Sequence, residues 1–213
     1  DGYFYIKIDK TSKEIIQETL TLIDESLLKE TKANMGKKEM SFNLKTTPLI
    51  NGESIVCSEF SVYPNESSKI RYTDLIVSKL KSTGEIVWTL RVPKRQLYTS
   101  PNSQLPKFYK PYYSYTSFVD SDNLFILFND NVKNDFSIRD TYEMKSMNSP
   151  KSSKIAIYSI DLETGKFKTS SLNGNIDNNV AMMAKLGYQK KQAENSYIFS
   201  RSKKGYLYGV FSK

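Results

Sequence analysis

Apolar and β-branched residues come along this chain in short runs separated by polar turns, and three stretches share one layout. Phe4–Ile8 leads through Asp9-Lys10-Thr11-Ser12-Lys13-Glu14 into Ile15–Leu22. Leu75–Leu80 leads through Lys81-Ser82-Thr83-Gly84-Glu85 into Ile86–Val92, and Ala156–Ile160 leads through Asp161-Leu162-Glu163-Thr164-Gly165-Lys166 into Phe167–Leu172. Runs of this length, bounded by turn-forming residues, are strand signals rather than helix signals. Gly84 and Gly165 stand where a tight hairpin needs a positive φ. The pattern predicts hairpins with turns at Ser12-Lys13, Thr83-Gly84 and Thr164-Gly165.

A further strand signal precedes each later hairpin: Ser54–Phe60 after the Asn51-Gly52 turn, Asn123–Phe128 after Ser121-Asp122, and Ser196–Ser200 after Gln192-Ala193-Glu194. Looser β-runs come before these, at Met40–Leu44, Tyr113–Val119 and Met182–Tyr188. The unit read from the sequence is four antiparallel strands, and four-stranded meanders in tandem are the signature of propeller blades. The expected fold is all-β and β-propeller-like, a single domain over 1–213 built of units at 1–22 (partial), 38–92, 113–173 and 180–213 (partial). Joining the first hairpin to the last unit makes three blades, against about four to eight in propellers. The chain is therefore expected to be part of a larger propeller. Its opening residues, Asp1-Gly2-Tyr3-Phe4-Tyr5-Ile6, enter a strand at once, which fits a processed or partial chain. A β-sandwich is the alternative. Helix signals are few; Asp24-Glu25-Ser26-Leu27-Leu28-Lys29-Glu30 predicts one or two turns behind an Asp cap.

Composition changes this picture in two places. The formal net charge of +8 raises nucleic acid as a partner, but of the 31 basic residues only Arg71, Arg91, Arg95, Arg139 and Arg201 are arginine. Phosphate and base recognition favours the planar Arg fork, so the lysines read as a solvated surface and the balance argues against nucleic acid. A single cysteine, Cys57, allows no internal disulfide; lying mid-strand among apolar residues, it reads as a buried, inert thiol. Trp88, also mid-strand, reads as packed between sheets. No run approaches the ~20 apolar residues of a membrane-spanning helix.

The combination Asp74–Leu80, Gly84-Glu85-Ile86-Val87-Trp88, Val92-Pro93-Lys94-Arg95-Gln96, Tyr115-Thr116-Ser117-Phe118 and Asn123–Asn131 resembles uncharacterised exported β-propeller-like proteins of Bacteroidetes. The resemblance covers about residues 70–170, and Leu127-Phe128-Asn129-Asp130-Asn131 is its most specific part. It implies export to the bacterial periplasm or cell surface. No activity comes with it.

The chain has no histidine, which removes Ser-His-Asp and Cys-His catalysis and histidine metal sites. No phosphate-binding glycine loop is present, and Asp120-Ser121-Asp122-Asn123 begins like a calcium loop but lacks its glycine and distal Glu. No cofactor or metal is expected. A carbohydrate-active enzyme using two carboxylates roughly 5–9.5 Å apart is the alternative function. Its candidates are Glu59, Asp74, Asp120, Asp122 and Asp130, each expected at the surface or in a turn because spacing singles out no pair. The favoured function is a non-catalytic binding or scaffold module of the bacterial cell envelope, recognising a protein or glycan through inter-blade loops. The densest mixture of basic and aromatic side chains lies from Lys94 to Tyr113, read as a long surface loop carrying Lys94, Arg95, Tyr98, Tyr109, Lys110, Tyr112 and Tyr113. Such a mixture can stack on sugars or anchor a partner protein.

Overall fold

A computed structural model describes residues 2–33, 40–62, 69–99, 113–138, 140–149, 153–172, 181–182, 196–202 and 205–211. The predicted strands that fall on described residues are present, the run from Tyr113 beginning only at Thr116; beyond Met182, the run Met182–Tyr188 lies outside the described residues. β1 (Gly2–Ile8) and β2 (Ile15–Leu22) form a two-stranded antiparallel sheet. Helix α1 (Glu25–Ala33) follows. Asp24 caps it: Oδ1 accepts the Ser26 amide at 2.7 Å, and the Asp24 carbonyl accepts Leu28 N–H at 3.2 Å.

The next sheet runs β3 (Met40–Pro48), β4 (Ser54–Val62), β5 (Lys69–Leu80), β6 (Ile86–Val92), all antiparallel neighbours in chain order. A short strand, β7 (Gln96–Thr99), also pairs with β5. It lies where a loop was expected, and the register gives the reason. β6 pairs with β5 only from Leu75 onward, leaving the Lys69–Tyr72 edge open; the chain bends at Pro93 and Gln96–Thr99 takes that edge. The third sheet is β8 (Thr116–Asp120), β9 (Asn123–Asn131), β10 (Ser153–Asp161) and β11 (Phe167–Leu172), again in chain order. β12 (Ala181–Met182), β13 (Ser196–Ser202) and β14 (Gly205–Phe211) form a fourth. All strand pairs in these sheets are antiparallel, and no closed barrel or ring occurs among the described residues.

β4, most of β5 and β10 are buried on both faces, so they read as near-continuous apolar runs rather than alternating ones. One face of β4 and β5 (Ile55, Cys57, Leu75, Val77) meets Leu124, Ile126, Phe128, Ala156, Tyr158 and Ile160 of the third sheet. The other face (Val56, Phe60, Ile76, Leu80) meets Tyr3, Ile23 and Leu28. The β3–β7 sheet is thus the middle layer between the first hairpin with α1 and the β8–β11 sheet.

All three expected hairpins close, the first and third alike and the second one residue shorter, with Lys81 N–H donating to Glu85 O and Gly84 N–H to Lys81 O. Asp9 N–H donates to Glu14 O and Lys13 N–H to Asp9 O; Asp161 N–H donates to Lys166 O and Gly165 N–H to Asp161 O. Asp9 and Asp161 also turn their carboxylates onto their own turn amides. The positive-φ position is Gly84 (φ 84°), Gly165 (φ 70°) and, in the first turn, Lys13 (φ 63°).

At both glycines an aromatic of the preceding sheet lies on the turn. A Cβ on Gly84 would stand 2.6 Å from Tyr5 Cβ, and one on Gly165 would stand 2.9 Å from the Trp88 ring. Tyr5 Oη donates to Ser82 O at 2.9 Å, and Trp88 Nε1 donates to Leu162 O at 3.0 Å. Gly84→Ala is therefore expected to cost about 2–4 kcal/mol, from a left-handed alanine pressed into a ring. Lys13→Gly is expected to be neutral or to stabilise by up to ~1 kcal/mol, because only backbone strain is relieved. Urea unfolding of the two variants checks the contrast; equal effects would show that the ring contact at Gly84 does not matter.

Candidate functional site: a buried charged seam

Two neighbouring strands place acids inside the protein. On β4, Glu59 falls on the same face as Ile55 and Cys57, toward the β8–β11 sheet. On β5 simple alternation would put Asp74 with Ile76, on the opposite face. A β-bulge intervenes: Glu59 pairs with Leu75 and Ser61 with Tyr72, so Thr73 and Asp74 together oppose Phe60. The extra residue breaks the alternation beside Asp74, whose carboxylate meets Arg91 of β6 and Thr141 of the segment after β9. Both carboxylates have no exposed surface.

Immediately after β6 and Pro93, Lys94 enters the same region and is also fully buried. Its Nζ donates to Glu59 Oε1 at 2.6 Å and to Gln96 Oε1 at 3.3 Å, and lies 5.5 Å from the Tyr72 ring centroid. The other Glu59 oxygen accepts Ser114 Oγ–H at 2.6 Å. Asp74 Oδ2 accepts Arg91 Nε–H at 2.8 Å; Oδ1 accepts Thr141 Oγ1–H at 2.6 Å and the Lys94 amide at 3.2 Å. A third acid, Asp130, sits at the end of β9 opposite Lys154 of β10. Its Oδ1 accepts Asn131 N–H at 2.8 Å and Asn134 Nδ2–H at 2.7 Å. The Lys154 ammonium donates to Asn134 O and lies 4.8 Å from the Phe136 ring centroid. Glu59, Asp74 and Asp130 are matched by Lys94, Arg91 and Lys154, so the seam is formally neutral.

Burial decides the proton affinities. It lowers the Lys94 ammonium below its ordinary range, with Glu59 opposing the shift. It raises Asp74 against the pull of Arg91, and it raises Asp130 against its Asn134 and backbone donors. Burial also pushes the Cys57 thiol up to about 12, which suits an inert core residue.

Two segments outside the strands are fastened to this seam. Gln96 Oε1 accepts Ser114 N–H at 2.7 Å, while Gln96 Nε2 donates to Ser114 O at 3.3 Å and Asn129 O at 2.8 Å. Ser114 is held at φ 77°, a left-handed conformation rare for serine. Arg95 Nη1 donates to the carbonyls of Thr141, Tyr142 and Met144 at 2.8–3.2 Å. Met147 then bridges β7, donating to Arg95 O and accepting from Leu97 N–H.

The residues read as a surface loop have other places. Lys94 is buried on Glu59. Arg95 is half-buried on backbone carbonyls. Tyr98 and Tyr113 are buried edge-to-face, with ring centroids 5.1 Å apart, beside Tyr72, Ile70 and Met147. Tyr113 Oη reaches Asn148 O at 3.0 Å, whereas Tyr98 Oη is a buried hydroxyl with no hydrogen-bond partner among the described residues. Tyr109, Lys110 and Tyr112 lie outside the described residues. The expectation that Glu59, Asp74 and Asp130 serve surfaces or turns is likewise corrected, since each is buried; Asp120 and Asp122 do flank the β8–β9 turn. Ser114, Asn134, Thr141 and Lys154 carry no local sequence signal for their roles. The signal that existed was an acid abutting an apolar run, at Asp74-Leu75-Ile76-Val77.

The chain matches no protein-family model, no curated protein and no solved structure.

Removing one partner of a buried pair strands the other's charge. Lys94→Met and Glu59→Leu should each cost about 3–5 kcal/mol, and the double variant distinctly less than their sum. A double-mutant cycle by urea unfolding reads the coupling; additive losses would show that the pair does not act as a unit.

Asp130 gives a pH signature. With its carboxyl held above the ordinary 3.8, the folded chain keeps a proton that the unfolded chain has released. Its contribution is fully present below the unfolded value and falls as pH rises through the folded one. Asp130→Asn keeps the Oδ1 acceptor without titrating. The stability of the wild type relative to Asp130→Asn is expected to fall as pH rises from the ordinary carboxylate range through the raised folded-state value. A flat or rising difference would contradict the buried, proton-retaining carboxyl.

Proposed function

We propose that this chain is a non-catalytic binding or scaffold module of the bacterial cell envelope, its sheets stacked as in a β-propeller, recognising a protein or glycan through residues 100–112. The observation that supports this is the neck from which that segment departs. Gln96 and Ser114 are joined by side-chain-to-backbone hydrogen bonds on both of the Gln96 amide atoms, and Tyr98 meets Tyr113 edge-on. A segment whose two ends are fixed on a packed scaffold can carry variable recognition residues without disturbing the core. Tyr109, Lys110 and Tyr112 belong to that segment and combine aromatic faces with a positive charge, a chemistry suited to sugars or to a protein hot spot.

The charged groups of the seam support the same reading from the other side. The oxygens of Glu59 and Asp74 are occupied by the chain's own donors, so these carboxylates serve cohesion between the sheets.

The test uses isolated bacterial cell-wall glycan by cosedimentation and immobilised envelope proteins by pull-down. Tyr109→Ser with Tyr112→Ser is expected to leave the melting temperature nearly unchanged and to weaken retention on one of these probes at least tenfold. A loss of ~5 °C or more would assign both rings to packing instead, and release of reducing sugar from the glycan would overturn the non-catalytic reading.

A further inference from the structure

The first hairpin is apolar on the wrong side for a sheet facing water. Its inner face meets the middle sheet through polar groups. Tyr3 Oη joins Ser58 and Ser78, Gln17 Nε2 and Thr19 Oγ1 donate to Thr83 O, and Thr21 Oγ1 donates to Gly84 O. The outer face holds Phe4, Ile6, Ile8, Ile16, Leu20 and Leu22, each 43–68 % exposed, with Glu18 the only charge among them. An antiparallel sheet with one wet face carries its polar residues there. With about half of each side chain in water, these six present on the order of 600–700 Å² of apolar surface, above the usual largest patch on a monomer and close to one partner's share of a standard interface.

The fold also says what does not cover this face. At the two junctions among the first three sheets, one sheet seats on the next by placing an aromatic on the glycine of the next hairpin turn, Tyr5 on Gly84 and Trp88 on Gly165. The corresponding position of the first turn is Lys13, left-handed and carrying a full side chain. That seat is closed, so a further sheet cannot stack on this hairpin in the manner of the two junctions seen. A partner that opposes the flat face itself needs no such seat.

We propose that the outer face of β1–β2 is a self-association surface, on which a second copy of this chain packs its own β1–β2 face about a two-fold axis. The same six side chains then serve both partners, as an isologous contact requires. The arrangement closes at two copies.

Sedimentation velocity of the chain over a dilution series is the test. A monomer–dimer equilibrium populated at roughly 50 μM is expected, and Ile6→Lys with Leu20→Lys should weaken it at least about 30-fold, the scale of lost interface anchors. Ile16→Lys with Leu22→Lys is the independent second pair, should the first lower the melting temperature. Val132→Lys, an exposed apolar residue after β9, should leave association unchanged. A wild type that stays monomeric would overturn the proposal, as would open-ended oligomers or a dimer indifferent to both pairs of substitutions.

Discussion

Lys94 carries its ammonium where no water reaches it, and the packing of the two large sheets is arranged around that fact. An isolated charge in such a place would cost far more than a domain can spare. Glu59 at 2.6 Å, the Gln96 carbonyl oxygen and the Tyr72 ring together replace the lost hydration. Glu59 can do so only because Ser114 occupies its second oxygen. Ser114 in turn is fixed by Gln96, which also reaches Asn129 on β9. The chain of dependence therefore runs from one buried ion pair on the middle sheet into the third sheet, and each member satisfies a group that would otherwise be stranded.

Such a seam constrains geometry more than it adds stability. The apolar contact between the sheets, Ile55, Cys57, Leu75 and Val77 against Leu124, Ile126 and Phe128, is non-directional and would tolerate sliding. Hydrogen-bonded charges do not. Asp74 meets Arg91 and the Lys94 amide on its own side and Thr141 of the segment after β9 on the other, so sliding of one sheet over the other would break the Thr141 bond. Arg95 and Asn134 extend the same fixing to the segment between β9 and β10, through the carbonyls of Thr141, Tyr142, Met144 and Lys145.

The strands and hairpins were legible because their signals are local. Alternation, a run length and a Thr-Gly pair suffice for β5–β6 and β10–β11, and Asp24 is a cap readable from its neighbours. The seam was not legible, because each of its decisions is non-local. Whether Lys94 faces water depends on Glu59, 35 positions earlier. Whether Asp74 finds a partner outside its own sheet depends on Thr141, 67 positions later. The aromatic and basic cluster from Lys94 to Tyr113 was correctly distinctive and wrongly placed at its ends: Tyr98 and Tyr113 are amphipathic, and the sequence cannot say which part of such a residue is buried. β7 was missed because its partner edge exists only where β6 stops short of covering β5.

The two junctions among the first three sheets differ in kind, and the difference follows from the same residues. Between the middle and third sheets, an apolar core is flanked by saturated ion pairs, so water is excluded and each charge–charge contact acts in a low dielectric. Between the first hairpin and the middle sheet, much of the hydrogen bonding is drawn from one turn: Tyr5, Gln17, Thr19 and Thr21 all reach the carbonyls of Ser82, Thr83 and Gly84. Several of those contacts are exposed, where a hydrogen bond competes with water and its net worth is about 1 kcal/mol or less. Tyr3, Ile23 and Leu28 supply the hairpin side of that junction's buried apolar cluster. The hairpin is thus held by the buried Tyr3, bonded to Ser58 and Ser78, and by a few directed bonds to a single loop, and the remainder of its hydrophobic surface is turned outward. A local opening that leaves the seam intact needs to break only that grip, which makes the hairpin the natural low-stability unit of the stack.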